Sequence, residues 1–267
     1  MKYKILFVDY DNTITNTKGK VTDRTKTAIK NYINAGGKFI ITTSRPYWMI
    51  KNHAEELNLD GDIICSQGAS IINLKTDEYL NKLMLEKEDL QQIVKFSSKK
   101  TYYTIVASDY ELVTDRTTPI FMSISKRIGF NFENQSYKTF FEDMQKIDPI
   151  QVLCRSITAS GNFNFAKNFK SKFEDKYGIH ICSNHLTAIT NKEASKGKAL
   201  KLYSQLNDVD LSQTAAFGDS IGDASMYEYA GLSVAMGNAH KKLKEGADLI
   251  IEHTDKDGLA KFIENLL

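Results

Sequence analysis

The stretch KILFVDYDNT, residues 4–13, decides the fold: an unbroken apolar run ends at two aspartates one residue apart. A run with no polar face suits a strand buried on both sides, as in a parallel sheet covered by helices. Ligands of open α/β sheets bind at the carboxyl ends of strands, which is where Asp9 and Asp11 stand. Residues i and i+2 of an extended chain point to the same side, roughly 6–7 Å apart. One carboxylate can then act as nucleophile and the other as general acid, with a hard cation nearby. Asp and Asn also shape turns, so this segment leaves both readings open and its companions must decide.

Working outward, Thr22 can cap a helix whose apolar positions Ala28, Ile29, Tyr32 and Ile33 follow helical spacing, and Gly36-Gly37 ends it. Lys38 to Thr43 reads as a second strand, closing a βαβ unit. Arg45-Pro46 turns into another helix, and Asp62 to Ser66 reads as a third strand. The last third repeats the rhythm. A helix over 195–206 precedes strand Thr214–Phe217, a helix from Asp223, strand Leu232–Ala235, a helix over 239–245, strand Leu249–Ile251 and a final amphipathic helix. Such alternation predicts an α/β doubly wound parallel sheet.

Residues 83–188 differ in texture and read as an α+β insertion. A helix over 86–96 leads to strand-like Tyr102–Ala107. Strand-like Gln151–Ile157 is followed by a helix to Tyr177, then a hairpin of Ile179–Ser183 and Leu186–Thr190. Phe165, Phe169, Phe173 and Tyr177 form an i, i+4 stripe, the packing face of that helix. The division is 1–82 with 189–267 as the core and 83–188 as the insert.

Composition narrows the function. The 267 residues are 42% hydrophobic and 25% charged with formal net charge +2, an ordinary globular balance with no electrostatic footprint for nucleic acid or an acidic membrane. Three widely spaced cysteines with no Cys-x-x-Cys pair suit reduced thiols better than a disulfide framework or zinc site. The five histidines lack metal-ligand spacing. The apolar run before Asp9 is too short for a signal peptide, and no stretch approaches the length of a membrane span. The expectation is a soluble cytoplasmic protein.

Four places carry chemistry. Beside Asp9 and Asp11, the segment Gly218-Asp219-Ser220-Ile221-Gly222-Asp223 follows a later strand. Asp219 can complete an oxygen-ligand set for magnesium, while Asp223 suits a ligand shell or a helix cap. Thr43-Ser44-Arg45-Pro46 follows the second strand, where a hydroxyl, loop amides and a guanidinium could hold a phosphate. Ser195-Lys196-Gly197 opens a helix whose dipole favours an anion, and Lys196 adds a full charge. Asn238, at Gly237-Asn238, fits either the phosphate site or a turn.

As an ordered set these segments resemble the motifs of the haloacid-dehalogenase-like hydrolases, in the Cof-type sugar-phosphatase branch. Asp9-Tyr10-Asp11-Asn12-Thr13 is similar to the first motif, Thr43-Ser44-Arg45-Pro46 to the second, Lys196 in Ser-Lys-Gly to the third and Gly218-Asp219 through Asp223 to the fourth. Val234 to Ala239, Ala247-Asp248 and Asp257-Gly258 match the C-terminal pattern. The resemblance implies a Rossmann-like core with the insert as a Cof-type cap, and a magnesium-dependent phosphatase for small phosphorylated metabolites such as sugar phosphates. Asp9 would be the nucleophile that forms an aspartyl-phosphate, and Asp11 the acid and base. Asp9, Asp11 (through its carbonyl), Asp219 and Asp223 would serve the metal. Thr43, Ser44, Arg45, Lys196 and Asn238 would serve the phosphate or substrate. The partner set is one small metabolite, with neither nucleic acid nor membrane, and the expected state a monomer or weak homodimer. A phosphomutase of the same superfamily, a haloacid dehalogenase and a phosphate-ligand-binding regulatory protein are the competing readings. Four positions depart from the family pattern: Asn12 and Ser44 replace glycine, Gln67 replaces the asparagine of an Asn-Gly-Ala segment, and Gly222 replaces the asparagine of the fourth motif.

Overall fold

Every residue of β1 (Ile5–Val8) is buried, because the strand is an interior one of a parallel sheet, with a neighbour on each side and no solvent face. It is followed by the helix Asp23–Asn34, whose cap Thr22 accepts a hydrogen bond from Thr25 N at 3.2 Å. Then come β2 (Lys38–Ile41), the helix Tyr47–Glu56, and β3 (Asp62–Cys65). The computed structural model describes residues 2–116, 119, 122–123 and 137–267. The chain divides into two units: Met1–Arg45, Ile50–Asn81 and Ser195–Leu267 form the first, Pro46–Met49 and Lys82–Ala194 the second. The second unit thus runs past residue 188, the end expected of the insert, and takes in the first residues of the helix Tyr47–Glu56.

Beyond β3 the chain departs from the expected rhythm. β4 (Ser70–Asn73) runs antiparallel to β3, and β5 (Tyr79–Lys82) extends the same three-stranded sheet. β3 meets β2 through a single parallel bridge, Thr42 with Ile64.

The second unit is built on an antiparallel sheet of β6 (Tyr103–Ala107), β7 (Leu112–Thr114), β8 (Gln151–Arg155), β9 (Tyr177–Ser183) and β10 (Leu186–Asn191), in the order β7-β6-β8-β10-β9. The helices Lys87–Ser97, Tyr137–Asp143 and Ala159–Phe173 contribute Leu90, Ile93, Phe140, Phe165, Phe169 and Phe173 to its core. The last of these helices stops at Phe173, four residues short of the helix expected to reach Tyr177, and Tyr177 opens β9. It nevertheless completes the stripe, its ring centroid 5.9 Å from Phe173 and 6.1 Å from Phe169.

Back in the first unit, the helix Lys196–Leu206 leads to β11 (Thr214–Gly218), followed by β12 (Leu232–Ala235), β13 (Leu249–Ile250) and the helix Gly258–Glu264. The parallel sheet has the order β13-β12-β11-β1-β2, with Ile5 level with both Thr214 and Lys38. Ile5 and Phe7 face a cluster with Tyr203, Leu200, Ala216 and Met226, while Leu6 and Val8, alternating with them, bury the other face. From β1 the chain winds to one side through β2, and from β11 to the other through β12. The carboxyl ends of β1 and β11 therefore flank the point where the winding reverses, where open sheets bind ligands. Among the described residues no helix is long and apolar enough to cross a membrane.

Candidate active site

Asp9 leaves β1 with its N–H donating to Phe217 O of the neighbouring strand at 3.0 Å, which fixes the carboxyl end of β1 against that of β11. The next residues form one wide turn, Tyr10–Ile14, that requires Asn12 at φ 58°, ψ 14°. Asparagine tolerates the left-handed region better than other non-glycine residues, so its place in the turn has a local reason.

Four of the site residues expected from sequence converge. Lys196 Nζ lies 2.6 Å from Asp9 Oδ1 and 2.6 Å from Asp223 Oδ1. Side-chain exposure is 3% for Lys196, 8% for Asp9 and 0% for Asp223. Asp219 joins them, since Asp9, Asp219 and Asp223 each offer an oxygen and these atoms lie within 4.8 Å of one another. The other oxygen of Asp223 accepts from Asp219 N at 3.2 Å and from Ser220 N and Ser220 Oγ, both at 2.9 Å. Asp223 therefore shapes its own turn while facing Lys196. Ser220 was missed in the sequence, although Ser-x-x-Asp before a helix is a capping-box pattern.

Two buried carboxylates, Asp9 and Asp223, and the half-buried Asp219 share one ammonium, and the imbalance shows at Asp9 and Asp219. Burial holds the Asp9 carboxyl well above the usual carboxylate range; Lys196 pulls it back, and Asp223 and Asp219 push it further up. Burial and then the Asp223 charge raise Asp219 to about 7. For Lys196 burial acts downward, but Asp223 and Asp9 outweigh it and hold the ammonium charged. A deficit of positive charge among hard oxygen donors is a setting that fits a divalent cation.

Asp11 stands apart from this cluster. Its carboxylate takes two bonds from the Arg45 guanidinium, Nε to Oδ2 at 2.9 Å and Nη2 to Oδ1 at 2.6 Å. The guanidinium also lies 5.1 Å from the Tyr10 ring centroid, and Tyr10 stacks on His53 at 5.5 Å. Thr43 is buried; its Oγ1 accepts from Arg45 N at 3.1 Å and its carbonyl from Gln67 N at 3.1 Å. Ser44 is half-buried between them. Asn238 is a strut, its amide donating to Asn12 O at 2.8 Å and its oxygen accepting from Thr254 N at 3.0 Å.

A family model described as haloacid dehalogenase-like hydrolase matches residues 6–263. Phosphatase YwpJ of Bacillus subtilis is 27% identical over 99% of this chain and 100% of its own length. The 5-amino-6-(5-phospho-D-ribitylamino)uracil phosphatase YwtE of the same organism is 25% identical over 99% and 98%. The crystal structure of a haloacid dehalogenase-like hydrolase from Bacteroides thetaiotaomicron superposes with a TM-score of 0.88 at 22% identity, covering all of both chains.

Proposed function

The chain belongs to the haloacid dehalogenase-like hydrolases and is a phosphatase, and from that premise we propose that it cleaves small phosphomonoesters, sugar phosphates among them, by way of a phosphoryl group carried on Asp9. The observation behind this reading is the buried Asp9–Lys196–Asp223 chain with Asp219 beside it. The cluster sets a carboxylate at a strand end, where open sheets bind their ligands, and leaves it short of positive charge.

In the proposed reaction an Asp9 oxygen attacks phosphorus and the bond from phosphorus to the leaving oxygen breaks. Asp11 gives its proton to that oxygen, then as a carboxylate takes one from the water that attacks the aspartyl-phosphate and frees Asp9. Lys196 and Thr43 hold the phosphoryl oxygens and offset their developing charge. Arg45 covers Asp11 in the free protein; by moving its guanidinium to the substrate it would uncover the proton carrier where it is needed. Magnesium is the proposed cation: the carboxylates of Asp9 and Asp219 and the Asp11 carbonyl would hold it, with Asp223 supporting them, and when bound it would offset phosphoryl charge.

The test is a screen of phosphate release over sugar phosphates, nucleotides and phosphorylated cofactors. A relative named for a phosphorylated ribitylamino-uracil puts sugar and polyol phosphates first in the panel. Release from members of that group, abolished by chelator and restored by magnesium, is the expected result. Full activity in metal-free protein would remove the metal, and turnover that requires a bisphosphate and yields no free phosphate would make the chain a mutase.

A further inference from the structure

Gly222 lies inside the short turn Ile221–Asp223, between two carboxylates of the cluster. Its backbone is not left-handed, so no local conformation requires glycine there. A Cβ built on it would meet only Ser220 Oγ at 3.5 Å and Gln67 Oε1 at 4.0 Å, both ordinary contacts. Ser220 belongs to the same turn, so the nearest group from outside the turn is the carboxamide of Gln67.

Gln67 is held there at a cost. It is 3% exposed and sits at φ 63°, ψ 25°, between Ser66 at φ 51° and Gly68 at φ 88°. A left-handed non-glycine residue costs on the order of 1–3 kcal/mol and persists only where its surroundings fix it. Those surroundings are the elements of the site. Gln67 N donates to Thr43 O at 3.1 Å, and a Cβ on Gly68 would fall 2.2 Å from Ser195 O, one residue before Lys196. The loop after β3 thus touches the Thr43 segment, the start of the Lys196 helix and the turn between Asp219 and Asp223.

We propose that Gln67 is a positioning residue for phosphoryl transfer: its carboxamide fills the space that a side chain at position 222 would take, and so keeps the Asp219–Asp223 turn in register with Thr43 and Lys196. The proposal rests on the phosphatase reading above. It makes one coupled change of two departures from the family pattern, a longer side chain at 67 matched by none at 222.

The test is a cycle of variants assayed with an aryl phosphate, with kcat, KM and thermal midpoint measured for each. Gly222→Ala places a methyl group in ordinary contact and should stay within about twofold of wild type. Gly222→Asn, which needs the space Gln67 holds, and Gln67→Asn, which leaves that space empty, should each lower kcat about tenfold with KM little changed. The double variant Gln67→Asn/Gly222→Asn should return to within about threefold of wild type, the sign of a coupled pair. A double variant carrying the product of the single losses, or a Gly222→Asn protein equal to wild type, overturns the proposal. A wild type that releases no phosphate overturns the phosphatase reading instead. In that case the thermal midpoints decide: the double variant should unfold above both singles, and additive midpoints sink the pairing of Gln67 with Gly222.

Discussion

The first unit buries charge and the second buries aromatic rings. Around Lys196, at the carboxyl ends of β1 and β11, a buried ammonium meets the buried carboxylates of Asp9 and Asp223, with the half-buried Asp219 beside them. Around Phe169, ring centroids of Phe96, Phe165, Phe173 and Tyr177 lie 4.7–6.1 Å away. A buried ion pair repays little more than its own desolvation, whereas each fully buried phenylalanine contributes about 1.5–3 kcal/mol relative to an exposed one. The charged cluster is thus a poor way to hold a sheet together and a good way to hold a reactive carboxylate. Substitutions at the two centres should separate activity from stability.

Asp9→Asn carries the largest expected effect. Phosphate release should fall by at least about 10³-fold, as expected for loss of a nucleophile. The thermal midpoint should hold or rise, because one of three crowded carboxylates is gone. Near-wild-type turnover would remove Asp9 as the nucleophile. A midpoint depressed as far as that of a core variant would make the cluster a structural one. Phe169→Ala probes the other centre, and urea unfolding should show a loss of about 3–5 kcal/mol from the cavity left among its neighbours. A loss below about 1 kcal/mol would mean that the aromatic core collapses around the gap.

Much of this contrast could be read from sequence where the signal is local. The apolar run before Asp9 marks an interior strand because burial on both faces leaves no polar alternation. The acidic and basic residues at segment ends mark the site because a parallel sheet brings those ends together. What escaped the sequence depends on distant parts of the chain or on a false periodicity. Tyr177 continues the spacing of Phe165, Phe169 and Phe173 although it opens a strand, since it packs on the same rings. The hairpin of β3 and β4 hid behind the left-handed residues Ser66, Gln67 and Gly68, which turn the chain back on β3. The grip of Arg45 on Asp11, and of Ser220 on Asp223, requires coordinates to see which partner each polar group chose.

The smallest effects compare like with like, one threonine cap in each unit. Thr158 accepts from Gly161 N at 3.0 Å at the start of the aromatic-bearing helix, in an exposed setting. Thr22 accepts from Thr25 N at 3.2 Å and also donates to Asp257 Oδ1 at 2.6 Å, joining the first helix to the far end of the chain. A hydroxyl bonded to a carboxylate is worth more than one that, like Thr158 with its 3.3 Å contact to Ser160 Oγ, has only neutral partners. Thr22→Ala should therefore cost about 2 kcal/mol and Thr158→Ala about 1 kcal/mol in urea unfolding. Thr22→Ser, which keeps both bonds, should recover most of the loss. Equal costs for the two alanine variants would show that the bond to Asp257 adds nothing to the stability of the first unit.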